Sequence, residues 1–279
     1  MAALAPLDQK DDFEELPCDA YLALRALRAS FPLLSTHISP EFLPCIPVAA
    51  LRGFCGPNSS LRLREELSIL SSEGKIREMV FLNGDECVML WNDMSGYIEN
   101  RSSVGCKTGY EDIEVETSKS LDFYKLLAVK YTSVNISKSD ISRAYLEWVR
   151  LPKNRVLLGG NIGGVDLLIR HLTTQGLIYK KQDGTTFCFS PPFSGRIERA
   201  LDFGRELLLK KCYRSPGRQL PRAFILGELC LHKSKPLLPI ALLYRECLGR
   251  GLIEDVSVSG EAYVRIVGDG LRVAKGKIP

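Results

Sequence analysis

Three groups of residues in this chain have types and spacings that could do chemistry: a glycine-rich run, a scatter of thiols and imidazoles, and a dense set of cationic side chains in the last third. The run GGNIGG, Gly159 to Gly164, could cradle a phosphate with its backbone N–H groups. It lacks the Gly-Lys-Ser/Thr ending that brings a lysine and a magnesium-binding hydroxyl to a nucleotide, and no strong strand precedes it, so a loop before a helix is the plainer expectation. The nine cysteines come no closer than Cys45 and Cys55, no C-x-x-C occurs, and the histidines are His37, His171 and His232. Zinc takes thiolates and imidazoles in short-spaced pairs, so reduced, mostly buried cysteines are expected, with no metal and no other cofactor. Asp11-Asp12, Glu14-Glu15 and Glu65-Glu66 are neighbours that point to different faces of a helix, which suits solubilising charge better than acid–base catalysis.

The cationic set has the clearest partner chemistry. Residues 1–117 hold ten basic and nineteen acidic side chains, residues 118–194 eleven and five, and residues 195–279 sixteen and nine. The overall charge of +4 therefore hides an acidic front and a basic back, an asymmetry that suggests an acidic partner for the basic part. Arg196, Arg199, Arg205, Lys210, Lys211, Arg214, Arg218, Arg222, Lys233 and Lys235 crowd the start of the last segment. A solvated surface can carry such a run too; the elements around it shift the balance toward DNA.

Those elements repeat. An apolar-striped helix, a glycine, a β-like run, an X-Gly turn and a second β-like run occur three times. The first copy has Leu63, Leu67 and Leu70, then Gly74, residues 76–82, Asn83-Gly84 and residues 87–91. The second has Val165, Leu168, Ile169 and Leu172, then Gly176, residues 177–181, Asp183-Gly184 and residues 186–190. The third has Ile240, Leu243, Tyr244 and Cys247, then Gly251, residues 252–258, Ser259-Gly260 and residues 263–267. Spacing of i, i+3, i+4 and i+7 marks a helix with one buried stripe, and the glycine is the favoured left-handed terminator. Asn-Gly and Asp-Gly are strong hairpin signals because a type I′ turn needs positive φ at both central residues; Ser-Gly is a weaker one.

Two further helices are expected before each copy: 19–31 and 47–55, 121–131 and 137–148, 196–211 and 222–232. Three helices and a two-stranded wing make a winged helix, a helix-turn-helix variant. The expected fold is therefore α+β, mainly helical, with three tandem winged-helix modules. The boundaries are a flexible acidic segment 1–17, a first module 18–106, a linker 107–118, a second module 119–194 and a basic, DNA-binding third module 195–279. No apolar run approaches the ~20 residues that span a membrane, and the first residues are acidic where a signal peptide is basic, so an intracellular protein is expected. The striped third helices carry Arg62, Arg64, Arg170, Arg245 and Arg250 among acids, so contacts mainly to the phosphate backbone are expected.

The stretches LRALRASFPLLSTHISPEFLPCIP, REELSILSSEGKIR, DLLIRHLTTQGLI, SGRIERALDFGRELLLKK and PRAFILGELCLHKSKPLLPIALLY resemble the serine/threonine-protein kinase 19 family, over roughly Tyr21 to Val267. The name misleads. A kinase needs a Gly-rich loop, a strand lysine, an H-R-D-x-x-x-x-N loop and a D-F-G magnesium ligand, and none of these motifs is expected here. His171 is followed by Leu172 and Thr173, and the pairs Asp183-Gly184 and Asp269-Gly270 lie in or after hairpins. What the resemblance implies is a nuclear, non-enzymatic winged-helix protein that binds double-stranded DNA in transcription-coupled nucleotide excision repair. It would join the complex on stalled RNA polymerase II and help position TFIIH on downstream DNA, with neither a membrane nor a small-molecule substrate as partner. The family's basic positions fall at Arg199, Lys210, Lys211, Arg214, Arg222, Lys233 and Lys235, with a short insertion around Ser215 to Leu220 that shifts the register. With Arg196 and Arg218 these form the expected DNA-binding set. A winged-helix module of another transcription or chromatin complex, working by protein contacts alone, is the alternative.

Overall fold

The computed structural model describes residues 19–31, 43–56, 59–103, 111–151, 164–227 and 238–274, an α+β and mainly helical architecture. One order of elements recurs three times. The first copy runs α1 (Asp19–Ser30), β1 (Ile46–Pro47), α2 (Val48–Cys55), α3 (Ser60–Ser72), β2 (Ile76–Val80) and β3 (Glu86–Leu90), and is followed by α4 (Trp91–Ser103). The second runs α5 (Glu111–Lys130), β4 (Asn135–Ser137), α6 (Lys138–Arg150), α7 (Gly164–Thr174), β5 (Ile178–Lys180) and β6 (Thr186–Phe189). The third runs α8 (Ser194–Arg214), a 3-10 turn (Pro216–Arg218), β7 (Gln219–Pro221), α9 (Arg222–Gly227), α10 (Ile240–Gly249), β8 (Ile253–Val258) and β9 (Glu261–Ile266), closed by α11 (Gly270–Ala274).

The repetition extends to single hydrogen bonds. Gly74, Gly176 and Gly251 have φ of 69°, 71° and 66°. Each donates to the carbonyl three residues back, and the following residue donates five back: Lys75 to Leu70, Leu177 to Leu172, Leu252 to Cys247. This is one Schellman motif used three times, and it aims each chain into its hairpin. Each sheet has three antiparallel strands in the same order, β1-β3-β2, β4-β6-β5 and β7-β9-β8. The expected two-stranded wings are thus completed by a strand of two or three residues, too short to show any periodicity.

The hairpin turns correct the expectation drawn from their dipeptides. Only Ser259-Gly260, the weakest signal, has positive φ at both residues, 53° and 83°, in a two-residue turn. Gly84 and Gly184 alone are left-handed in the other two. There Asn83 Oδ1 accepts from the Asp85 N–H, and Asp183 Oδ1 accepts from those of Thr185 and Thr186. Side-chain acceptance of that kind holds a longer loop and makes the tight turn unnecessary. The stretch 107–118 is also not all linker, since α5 begins at Glu111, and α4 starts at Trp91, read as the last residue of a strand, and fills a stretch in which no element was expected. Met94 and Ile98 bury the inner face of α4, a stripe of two that Gly96 and the surrounding polar residues mask.

The three copies share one continuous apolar core. Copy one meets copy two through Arg77 on β2, 1% exposed, whose guanidinium donates to the carbonyls of Ala128 (3.2 Å), Ser133 (3.1 Å) and Tyr131 at the end of α5 and lies 3.7 Å over the Phe189 ring. Copy one meets copy three where α2 crosses α10 and where the β2–β3 turn reaches α8: the Leu82 N–H donates to Glu198 and Ser194. The tripeptide Asp202-Phe203-Gly204 spells a kinase metal triad, contrary to expectation, but it lies inside α8. Asp202 accepts from Arg205 at 2.8 Å, and Gly204 is pressed against Leu243, where a Cβ would come within 2.4 Å. The glycine there serves helix packing.

Candidate nucleic-acid interface

The long helix α8 places most of the expected DNA-binding residues. With 3.6 residues per turn, Arg196, Arg199, Phe203, Glu206, Lys210 and Arg214 follow one another in steps of three and four along one side. The opposite side holds Ile197, Leu201, Leu208 and Cys212 in the core. At 1.5 Å per residue, Arg196 and Lys210 are about 21 Å apart along the axis. One face therefore carries two separate cationic ends with the exposed Phe203 between them.

The C-terminal end gathers Lys210, Lys211, Arg214, Arg218 and Arg222. Lys210 is paired with Glu206 one turn back, and Arg214 is exposed. The chain turns sharply after Arg214: Gly217 and Arg218 both have positive φ, 65° and 57°, which lays the Arg218 guanidinium 5.5 Å over the Tyr213 ring. Arg222 opens α9 and lies 5.9 Å over Tyr244. The negative end of the α8 dipole accommodates this charge, and stacking on the rings orients two of the guanidiniums without neutralising them. Beneath the cluster the Cys212 thiol is pushed up to about 11 by burial, so it stays protonated at neutral pH. Lys233 and Lys235 lie outside the described residues, as do His37, His232 and all of GGNIGG but Gly164.

Arg205 cannot join this set. Its guanidinium, 15% exposed, forms a two-pronged pair with the fully buried carboxylate of Glu246, at 2.7 and 3.2 Å. Arg250 holds the same carboxylate and reaches Asp85 in the first hairpin turn. α10, the helix that would face bases in an ordinary helix-turn-helix, lies against α2, and Arg245 donates to Gly53 O at 3.0 Å. Its cations are committed to contacts within the protein, whereas those of α8 and α9 can meet phosphates.

At the other end of α8, Arg196 and Arg199 face a cavity of about 600 Å³ at the junction of all three copies. Arg101 of α4 joins them there. Its place was not legible beforehand, because α4 itself has no clear apolar stripe. Burial raises the Tyr97 hydroxyl's pKa, and the nearby Arg101 offsets part of that rise. Among the described residues no group of three His, Cys, Asp or Glu side chains could hold a metal, and no helix is long and apolar enough to cross a membrane. Cys45, Cys87, Cys188, Cys212 and Cys247 are buried thiols, and Cys55 is half-buried. Neither a family model nor a curated protein matches this chain.

Proposed function

We propose that this chain is a non-enzymatic double-stranded DNA-binding scaffold made of three tandem winged-helix modules. The observation that carries the proposal is the cationic cluster Lys210, Lys211, Arg214, Arg218 and Arg222, with Arg214 and Arg218 exposed and the others half-buried, formed where α8 ends and α9 begins. The threefold order of helix, short strand, two helices and hairpin supports the winged-helix assignment. Cations on a convex helix end meet phosphates and release counterions. Binding of that kind has weak sequence preference and falls steeply with salt. The resemblance to the serine/threonine-protein kinase 19 family supports a nuclear setting in transcription-coupled repair, on stalled RNA polymerase II with TFIIH downstream. The −9 balance of residues 1–117 suits protein contacts by the first module.

Fluorescence anisotropy of a labelled duplex against salt tests this, comparing the native chain with Lys211→Glu, Arg214→Glu, Arg218→Glu. The native chain should bind with a log-log slope of about −0.9 per neutralised phosphate, and the triple variant should lose both affinity and slope. No duplex binding at low salt would refute the proposal. It would favour a module acting by protein contacts alone, a role to which the burial of α10 and the internal pairing of Arg205 and Arg250 also lend weight.

A further inference from the structure

The junction cavity has features that a phosphate-contacting surface does not require. Arg101, Arg196 and Arg199 line it, and among the described residues no carboxylate does. Two aromatic rings lie among the arginines: Tyr97 and Phe193 sit edge to face with centroids 6.5 Å apart. Arg101 is 5.9 Å from the Tyr97 centroid and 5.7 Å from that of Phe193, and Arg196 is 5.7 Å from Phe193. Gln175 also lines the cavity; its amide nitrogen donates to Ser120 Oγ at 3.1 Å, while its buried Oε1 has no hydrogen-bond partner. The positive end of the 21-residue helix α8 lies at the same place. Three copies of the fold meet here, so the cavity exists only in the assembled chain.

We infer that this cavity binds one nucleotide, with its phosphate among Arg101, Arg196 and Arg199 and its base against the Tyr97–Phe193 pair. Guanidiniums are donors matched to phosphate oxygens, and their planes stack on flat rings. The volume falls within the ~300–1,000 Å³ of small-ligand sites. A paired base in a duplex cannot enter, so the nucleotide is either free or an unpaired residue of a strand. The site shares Arg196 and Arg199 with the duplex-binding proposal but none of the Lys210–Arg222 cluster, which lies about 21 Å away along α8.

Calorimetric titration of the full chain tests the inference with three probes: deoxycytidine monophosphate, a single-stranded octadeoxycytidylate, and an abasic octamer of equal charge. The variants are Arg101→Gln and Phe193→Gly. The second removes the ring at a position whose φ of 61° suits glycine, so it reports on the site even if the first loosens α4. Each variant should weaken binding of the monophosphate or the octadeoxycytidylate by about tenfold, the loss of one stacked or charge-paired contact. Binding of the monophosphate identifies a free nucleotide as a sufficient ligand; binding of the strand alone identifies an unpaired residue. Equal affinity for the abasic octamer, or no effect of either variant, would overturn the inference. The Lys211, Arg214 and Arg218 variant should bind the monophosphate as the native chain does, so failure of the cavity and failure of the duplex surface are read separately.

Discussion

Gly53 and Gly249 face each other where α2 crosses α10, in backbone contact. A Cβ on Gly53 would lie 1.9 Å from Arg245 O, and one on Gly249 would lie 1.8 Å from Ala49 O. Neither obstacle is a flexible side-chain end; both are carbonyls of hydrogen-bonded helices. The first and third copies are thus joined by a contact that tolerates no side chain at either position. It holds copy three at a fixed angle to copy one.

Gly249→Ala therefore forces the helices apart. The expected cost is about 3 kcal/mol, at the upper end of core overpacking, despite the better helix propensity of alanine. Urea unfolding checks it. If Gly96→Ala, in a helix with open space around the site, is tolerated while Gly249→Ala is not, the cost comes from the crossing.

Glu246 is the second tie between these copies. Its carboxylate is fully buried between Arg205 and Arg250, and Arg250 continues to Asp85. Glu246→Gln leaves the Arg205 charge buried against a neutral amide, and breaking a buried pair from one side costs about 3–5 kcal/mol. The double variant Arg205→Met with Glu246→Leu should recover most of that loss. Two separate losses of the same size, without recovery, would show that the pair does not act as a unit.

The parts of this fold legible in the sequence are those fixed within about ten residues. The apolar stripes of α3, α7 and α10 and the glycines that end them depend on helical period and on φ, both local properties. The three-strand sheets were not legible, because β1 has two residues and draws its regularity from β3, some forty positions on. Arg77 shows the limit most clearly. In sequence it is a cation in a strand beside Glu78, and nothing nearby indicates that its partners are carbonyls at 128, 131 and 133. The candidate interface divides the same way. The cluster after Lys210 is contiguous and could be read from composition, whereas Arg101 meets Arg196 only through tertiary packing.

Replacing Arg77 separates copy one from copy two. Burial already lowers its pKa, and the carbonyls at the negative end of α5 keep the charged form in place. Arg77→Ala strands three carbonyls and empties the space over Phe189, so a loss on the order of 3 kcal/mol or more is expected. Arg77→Lys keeps the charge but neither the planar stack nor the forked donors, and should remain well below native stability. Hydrogen exchange gives the sharper check, with protection falling first in β2 and the last turn of α5.

Glu78 provides a pH test of opposite sign. It neighbours Arg77 on β2, and its pKa is raised, first by burial and then by repulsion from Glu86 across the hairpin. A carboxylate whose pKa is higher in the folded chain binds its proton more tightly there. Through this group acidification favours folding, and at neutral pH the ionised form opposes it. Glu78→Gln should therefore raise the thermal midpoint at pH 7. The gain should shrink as pH falls through the raised pKa and be gone below about 4, where the unfolded carboxylate is also protonated. A midpoint lowered at pH 7 would mean that Glu78 stabilises the fold as a charge, through Arg77 and Arg64, more than its burial costs.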